Sequence, residues 1–194
     1  VKMIWTREDD QQCNLGHLFQ HMEYQAAFDK DNKLFAWYEK EICTYTWGAK
    51  YADAQLPDVA YHIPNIRYDF ENMTGEELVH SSAWRGVTGH GRFYSECFID
   101  EIAVFLKKDP YAFRLELLEG DREILPNRFP ATKVRRVLTL AAQKAEWGKK
   151  MEPGSGQGMA VCPYGTSCCA VIAEVLVRDN KLTVTKIVIG VDCG

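Results

Sequence analysis

Between Phe93 and Trp147 the apolar residues recur at three- and four-residue steps, whereas on either side they fall into short runs bounded by turn residues. This double change of period restricts the fold more than anything else in the chain. Strands, then helices, then strands predict an α+β domain with a mostly antiparallel sheet and about three helices. The expected parts are a β-rich one over 1–91, a helical one over 92–148 and a second β-rich one over 149–194.

The individual signals follow local chemistry. Tyr24 to Phe28, the polar break Asp29-Lys30-Asp31-Asn32 and the run from Leu34 toward Trp47 have the aromatic and β-branched enrichment of a hairpin. Ile66 to Phe70 reads as a further short strand. A first helix is expected from Phe93, with Phe93, Cys97, Phe98, Ile102, Phe105 and Leu106 at helical spacing. Asp109-Pro110 supplies a cap and a first-turn proline for a second, closed by Gly120. A third is expected over about Thr132 to Trp147, burying Val134, Val137, Leu138, Ala141, Ala142 and Ala145, with Gly148 beyond its end. Residues 149–158 are turn-rich. Strands then follow over Met159 to Tyr164, Ala170 to Arg178 and Leu182 to Val191, the last two joined by the turn pair Asp179-Asn180.

Both ends, Val1 to Trp5 and Ile187 to Gly194, read as strand-forming, so the chain is expected to be a segment of something longer. A formal charge of −4 on 194 residues provides no basic stripe for a nucleic acid. No apolar run approaches the roughly 18 residues of a membrane span. Seven cysteines, an odd number without a C-x-x-C pair, are expected to be reduced core thiols.

Chemistry is best suggested by Trp84-Arg85-Gly86-Val87-Thr88-Gly89-His90-Gly91. Three glycines allow close backbone approach, arginine offers a rigid donor fork, and the following helix presents free amides to an anion. On spacing alone, a tight connection carrying a surface arginine accounts for it at least as well. Cys13, His17 and His21 would share a helical face, but the stretch has little helical patterning and no fourth ligand, so no metal site is expected. Cys168 and Cys169, adjacent in a strand, should point to opposite faces. The acidic pairs Asp9-Asp10, Glu76-Glu77 and Asp100-Glu101 read as solvated or capping groups, and no catalytic residue is assigned in this chain.

Several segments, in order, resemble one family. Val1 to Asp10 resembles a "VKxxWTREDD" segment and Tyr61 to Asn65 a "Y-x-I-P-N" segment. Trp84 to Val87 resembles a "W-R-S-V" cofactor loop, with Gly86 in place of serine. Phe98 to Ala103 with Asp109 to Leu115 resembles "FIDELA…DPxxFRL", Ala141 to Gly148 resembles "AAEKAGWG", and Val191 to Gly194 matches "VDCG". The family is that of the molybdopterin-binding large subunits of xanthine dehydrogenase-type hydroxylases, nearest the isoquinoline 1-oxidoreductase beta subunit and its aldehyde-oxidising relatives.

The resemblance implies a molybdopterin cytosine dinucleotide carrying molybdenum. It implies insertion of a water-derived oxygen into a small-molecule substrate, at a C–H bond beside a ring nitrogen or on an aldehyde, with electrons leaving through a [2Fe-2S] small subunit. It places Trp84, Arg85 and Gly86 against the pterin and Val87 toward the substrate channel. The family's other cofactor motifs and its catalytic glutamate have no counterpart in this chain. The isolated chain is therefore expected to be inactive and to hold little or no cofactor. The alternative from another class is a non-catalytic binding or assembly module on the same scaffold.

Overall fold

The computed structural model describes residues 1–13, 19–43, 57, 59–73, 89–120, 122–124 and 129–194. Its regular elements, in chain order, are α1 (Arg7–Cys13), β1 (Gln20–Phe28), β2 (Leu34–Cys43), β3 (Asn65–Asn72), α2 (Gly89–Phe105), α3 (Pro110–Leu117), β4 (Glu123–Ile124), β5 (Phe129–Pro130), α4 (Ala131–Ala145), β6 (Ser155–Tyr164), β7 (Ser167–Arg178) and β8 (Lys181–Asp192). This is the expected α+β architecture.

The first sheet has the order β1-β2-β3. β1 and β2 form the antiparallel hairpin, turned at Asn32 with φ of 57°. β3, expected only as a strand, runs parallel to β2. One face of this hairpin rests on α2 through aromatic contacts. Tyr24 stacks on Phe98 at 5.3 Å, Trp37 meets Phe98 edge-on at 5.1 Å, and Phe28 stacks on Phe105 at 5.7 Å.

The second sheet is the antiparallel meander β6-β7-β8. Asp179 and Asn180, at φ of 50° and 59°, make the tight turn between β7 and β8. α4 lies across one face and buries all six residues expected on its inner side. Against them stand Met159 and Val161 of β6 and Cys168, Ala170 and Ile172 of β7, all in one continuous core with the first sheet.

Three expectations need correction. Val1 to Trp5 is not a strand: it is exposed, and among the described residues no strand pairs with it. Instead Thr6 caps an additional helix, α1. Its main-chain amide and hydroxyl donate to Asp9 Oδ2 at 3.0 and 2.9 Å, while Asp9 N donates back to Thr6 Oγ1 at 3.2 Å. The helix expected from Phe93 begins at Gly89, so Gly89, His90 and Gly91 form its first turn. Ser155 to Gly158, expected as turn, opens β6, because ladder pairing with β7 needs only backbone there.

Candidate functional site

The first turn of α2 follows the expected cofactor loop directly in the sequence. Trp84, Arg85, Gly86 and Val87 themselves lie outside the described residues, as does His17. α2 is held by charge as much as by apolar packing. Its inner face reads Arg92, Ser95, Glu96, Ile99, Ile102 and Ala103, all buried. Phe93, Cys97 and Phe105, which share the helical spacing that marks this helix in the sequence, are exposed.

Arg114 of α3 reaches across to this face and is completely buried. Its Nη2 and Nε donate to Glu96 Oε2 at 3.0 and 3.2 Å, and its Nη1 donates to Asp100 Oδ1 at 2.5 Å. A further bond runs from Nη2 to the carbonyl of Met159 in β6. Glu96 Oε2 also accepts the amide of Val161 at 3.0 Å. Two side chains thus tie α2, α3 and the edge of β6 into one unit.

The electrostatics follow from burial. Desolvation pushes Glu96 above the ordinary carboxylate value, opposed by Arg114, by the nearby Tyr61 side chain and by the hydrogen bond from the Val161 amide. Burial opposes the Arg114 cation, but Tyr61, Glu96 and Asp100 more than offset it and its pKa is raised. Both shifts belong to one coupled pair, and the geometry favours the ion pair: a fork of donors on a carboxylate that also takes an amide.

Beside this network, between α2 and the β6–β7 strands, lies a cavity of about 190 Å³. Arg92, Phe93, Glu96, Cys97 and Asp100 face it from the helix, and Cys162 and Cys169 from the sheet. An anionic cofactor at the head of α2 would meet the free amides of the helix's first turn, with the buried Arg92 cation one turn in, and this donor set suits a polar, anionic group. Among the described residues no three His, Cys, Asp or Glu side chains converge to hold a metal ion. Cys13 ends α1 and His21 lies in β1, so the two do not share a helix.

Of the acidic pairs, Asp9 caps α1 as expected, whereas Asp100 serves in the Arg114 network; Glu76 and Glu77 lie outside the described residues. Sequence reasoning missed Arg92, Glu96 and Arg114. The signal was present as a polar series, Arg92 and Glu96, in step with Ile99 and Ala103 on one helical stripe.

Residues 1–118 match the family model described as the molybdopterin cofactor-binding domain. The chain belongs to that family. It is 29% identical to the isoquinoline 1-oxidoreductase subunit beta of Brevundimonas diminuta, an alignment that covers all of this chain and 26% of that protein. It is 28% identical to the membrane-bound aldehyde dehydrogenase [pyrroloquinoline-quinone] of Gluconacetobacter polyoxogenes, over all of this chain and 29% of that one. The chain therefore spans little more than a quarter of either relative. In fold it resembles the aldehyde oxidoreductase of Desulfovibrio gigas, with a TM-score of 0.50 at 24% identity, over 90% of this chain and 22% of that structure.

Proposed function

We propose that this chain forms part of the large subunit of a molybdenum hydroxylase that oxidises an N-heterocycle such as isoquinoline, or an aldehyde, with oxygen derived from water. The family match over residues 1–118 carries this reading, because it spans the expected cofactor loop together with α2 and α3. The bound cofactor, in its cytosine dinucleotide form, supplies oxygen transfer and a two-electron sink. This chain's contribution is positional. Trp84, Arg85 and Gly86 hold the pterin by stacking, a donor fork and close backbone approach, and Val87 narrows the substrate channel. The Glu96–Arg114 pair holds α2 against α3. Electrons leave to a [2Fe-2S] small subunit.

The matching family model is named for a molybdopterin cofactor and one relative for pyrroloquinoline quinone, so cofactor content is the direct test. The native protein, purified with its partners, is expected to hold molybdenum in stoichiometric amount and to release a cytosine-bearing pterin on denaturation. Release of pyrroloquinoline quinone, with molybdenum absent from protein made under molybdate-replete conditions, would refute the reading.

A further inference from the structure

The cavity beside α2 has a second chemistry that owes nothing to the cofactor. Cys162 of β6 and Cys169 of β7 are direct cross-strand partners. Both are half-buried and not disulfide-bonded, and both line the cavity. Directly opposed residues of an antiparallel pair have Cα atoms about 4.5–5.5 Å apart, inside the roughly 4.4–6.8 Å that a disulfide spans. The neighbouring Cys168 lies on the opposite face and is buried under α4, so it does not compete.

We propose that Cys162 and Cys169 form a reversible dithiol–disulfide site, oxidised by a peroxide that enters this cavity, with Cys169 as the attacking thiolate and Cys162 as the resolving thiol. The charged and titratable groups facing the pair are Arg92, Glu96, Cys97 and Asp100, all from α2. Burial pushes the thiols of Cys43 and Cys168 up to about 12 and about 11, and raises Cys97 as well. Cys169 moves the other way, to about 6, chiefly because the Cys162 thiol hydrogen-bonds to it, with a smaller main-chain contribution from Cys162 and burial opposing both.

The steps balance. The Cys169 thiolate attacks one oxygen of hydrogen peroxide, the O–O bond breaks, and hydroxide leaves to take up a proton, giving Cys169 sulfenic acid and water. The Cys162 sulfur then attacks the Cys169 sulfur. The S–O bond breaks, an S–S bond forms, and the hydroxyl departs with the Cys162 proton as a second water. Two thiols have lost two electrons and two protons, and an external dithiol such as dithiothreitol restores them by exchange as it is itself oxidised.

The test is peptide mapping of the native protein after a stoichiometric dose of hydrogen peroxide and alkylation of the remaining thiols. A Cys162–Cys169 disulfide is expected, lost again on adding dithiothreitol. In Cys162→Ser the oxidation should stop at a Cys169 sulfenic acid that dimedone traps. In the unoxidised wild type at pH 7, iodoacetamide should label Cys169 at least tenfold faster than Cys162, a readout that needs no variant to fold. Equal labelling rates, or a pair that stays fully alkylatable while the exposed Cys13 and Cys193 oxidise, would overturn the proposal, as would a disulfide from Cys169 to any other cysteine.

Discussion

Arg114 and Glu96 are 0% and 5% exposed at their side chains, so neither charge has water to fall back on. Removing one leaves the other buried and alone, and that asymmetry sets the cost. Arg114→Met should lower unfolding stability in urea by about 3–5 kcal/mol. The double variant with Glu96→Gln should recover a large part of that loss, because no orphan charge remains. Equal losses in the single and double variants would mean that the pair contributes packing alone. This pair was the least legible feature in the sequence. Periodicity counts apolar residues, and the buried stripe of α2 mixes Arg92 and Glu96 with Ile99 and Ala103, while the exposed Phe93 and Cys97 imitate a core. Only the partner on α3 turns Glu96 inward, and a partner 18 residues away leaves no local trace.

Where signals are local, whole elements were legible. Asp109 accepts the Ala112 amide at 2.9 Å as the N-cap of α3, Pro110 follows it, and both were readable from residue type alone. α4 declared itself by an unbroken apolar stripe. Its fit against β8 is close enough to test: a Cβ on Gly190 would lie 2.9 Å from the Val137 carbonyl oxygen and 3.2 Å from its Cγ1. Gly190→Val should push helix from sheet and cost about 1–3 kcal/mol, read as a lower thermal midpoint with the secondary structure retained.

The other end of α4 is tied by polar contacts. Gln157 Nε2 donates to the Ala145 carbonyl at 3.0 Å, and Lys149 Nζ donates to Glu174 Oε1 at 2.7 Å. Lys149, with help from Gln157, holds Glu174 below the ordinary carboxylate value against the opposing effect of burial. A carboxylate lowered in the fold contributes stability above its unfolded value near 4.5, lost as pH falls through the folded one. Lys149→Met should therefore lower stability above about pH 4.5 and move the acid-unfolding midpoint to higher pH. An unchanged acid midpoint would remove Lys149 from the account. Strand direction and the start of α2 escaped sequence reading for the complementary reason. Parallel pairing of β3 and the helical turn at Gly89 are set by tertiary context that no short window contains.

At the scale of the whole molecule, the hairpin, the α2–α3 pair and the α4-covered meander share one core, and the proposed cofactor loop runs into the element that joins them. Arg85→Met should reduce the molybdenum content of the native protein severalfold without moving its thermal midpoint, because the residue is assigned to the ligand and not to the core. Loss of both together would mark Arg85 as structural. The most direct test of the central claim is the position of the molybdenum in a crystal of the native protein, read from anomalous scattering at the metal's absorption edge. A pterin in contact with Trp84 to Gly86, near the first turn of α2, is expected. A metal and pterin bound elsewhere, with residues 84–87 facing bulk solvent, would contradict it.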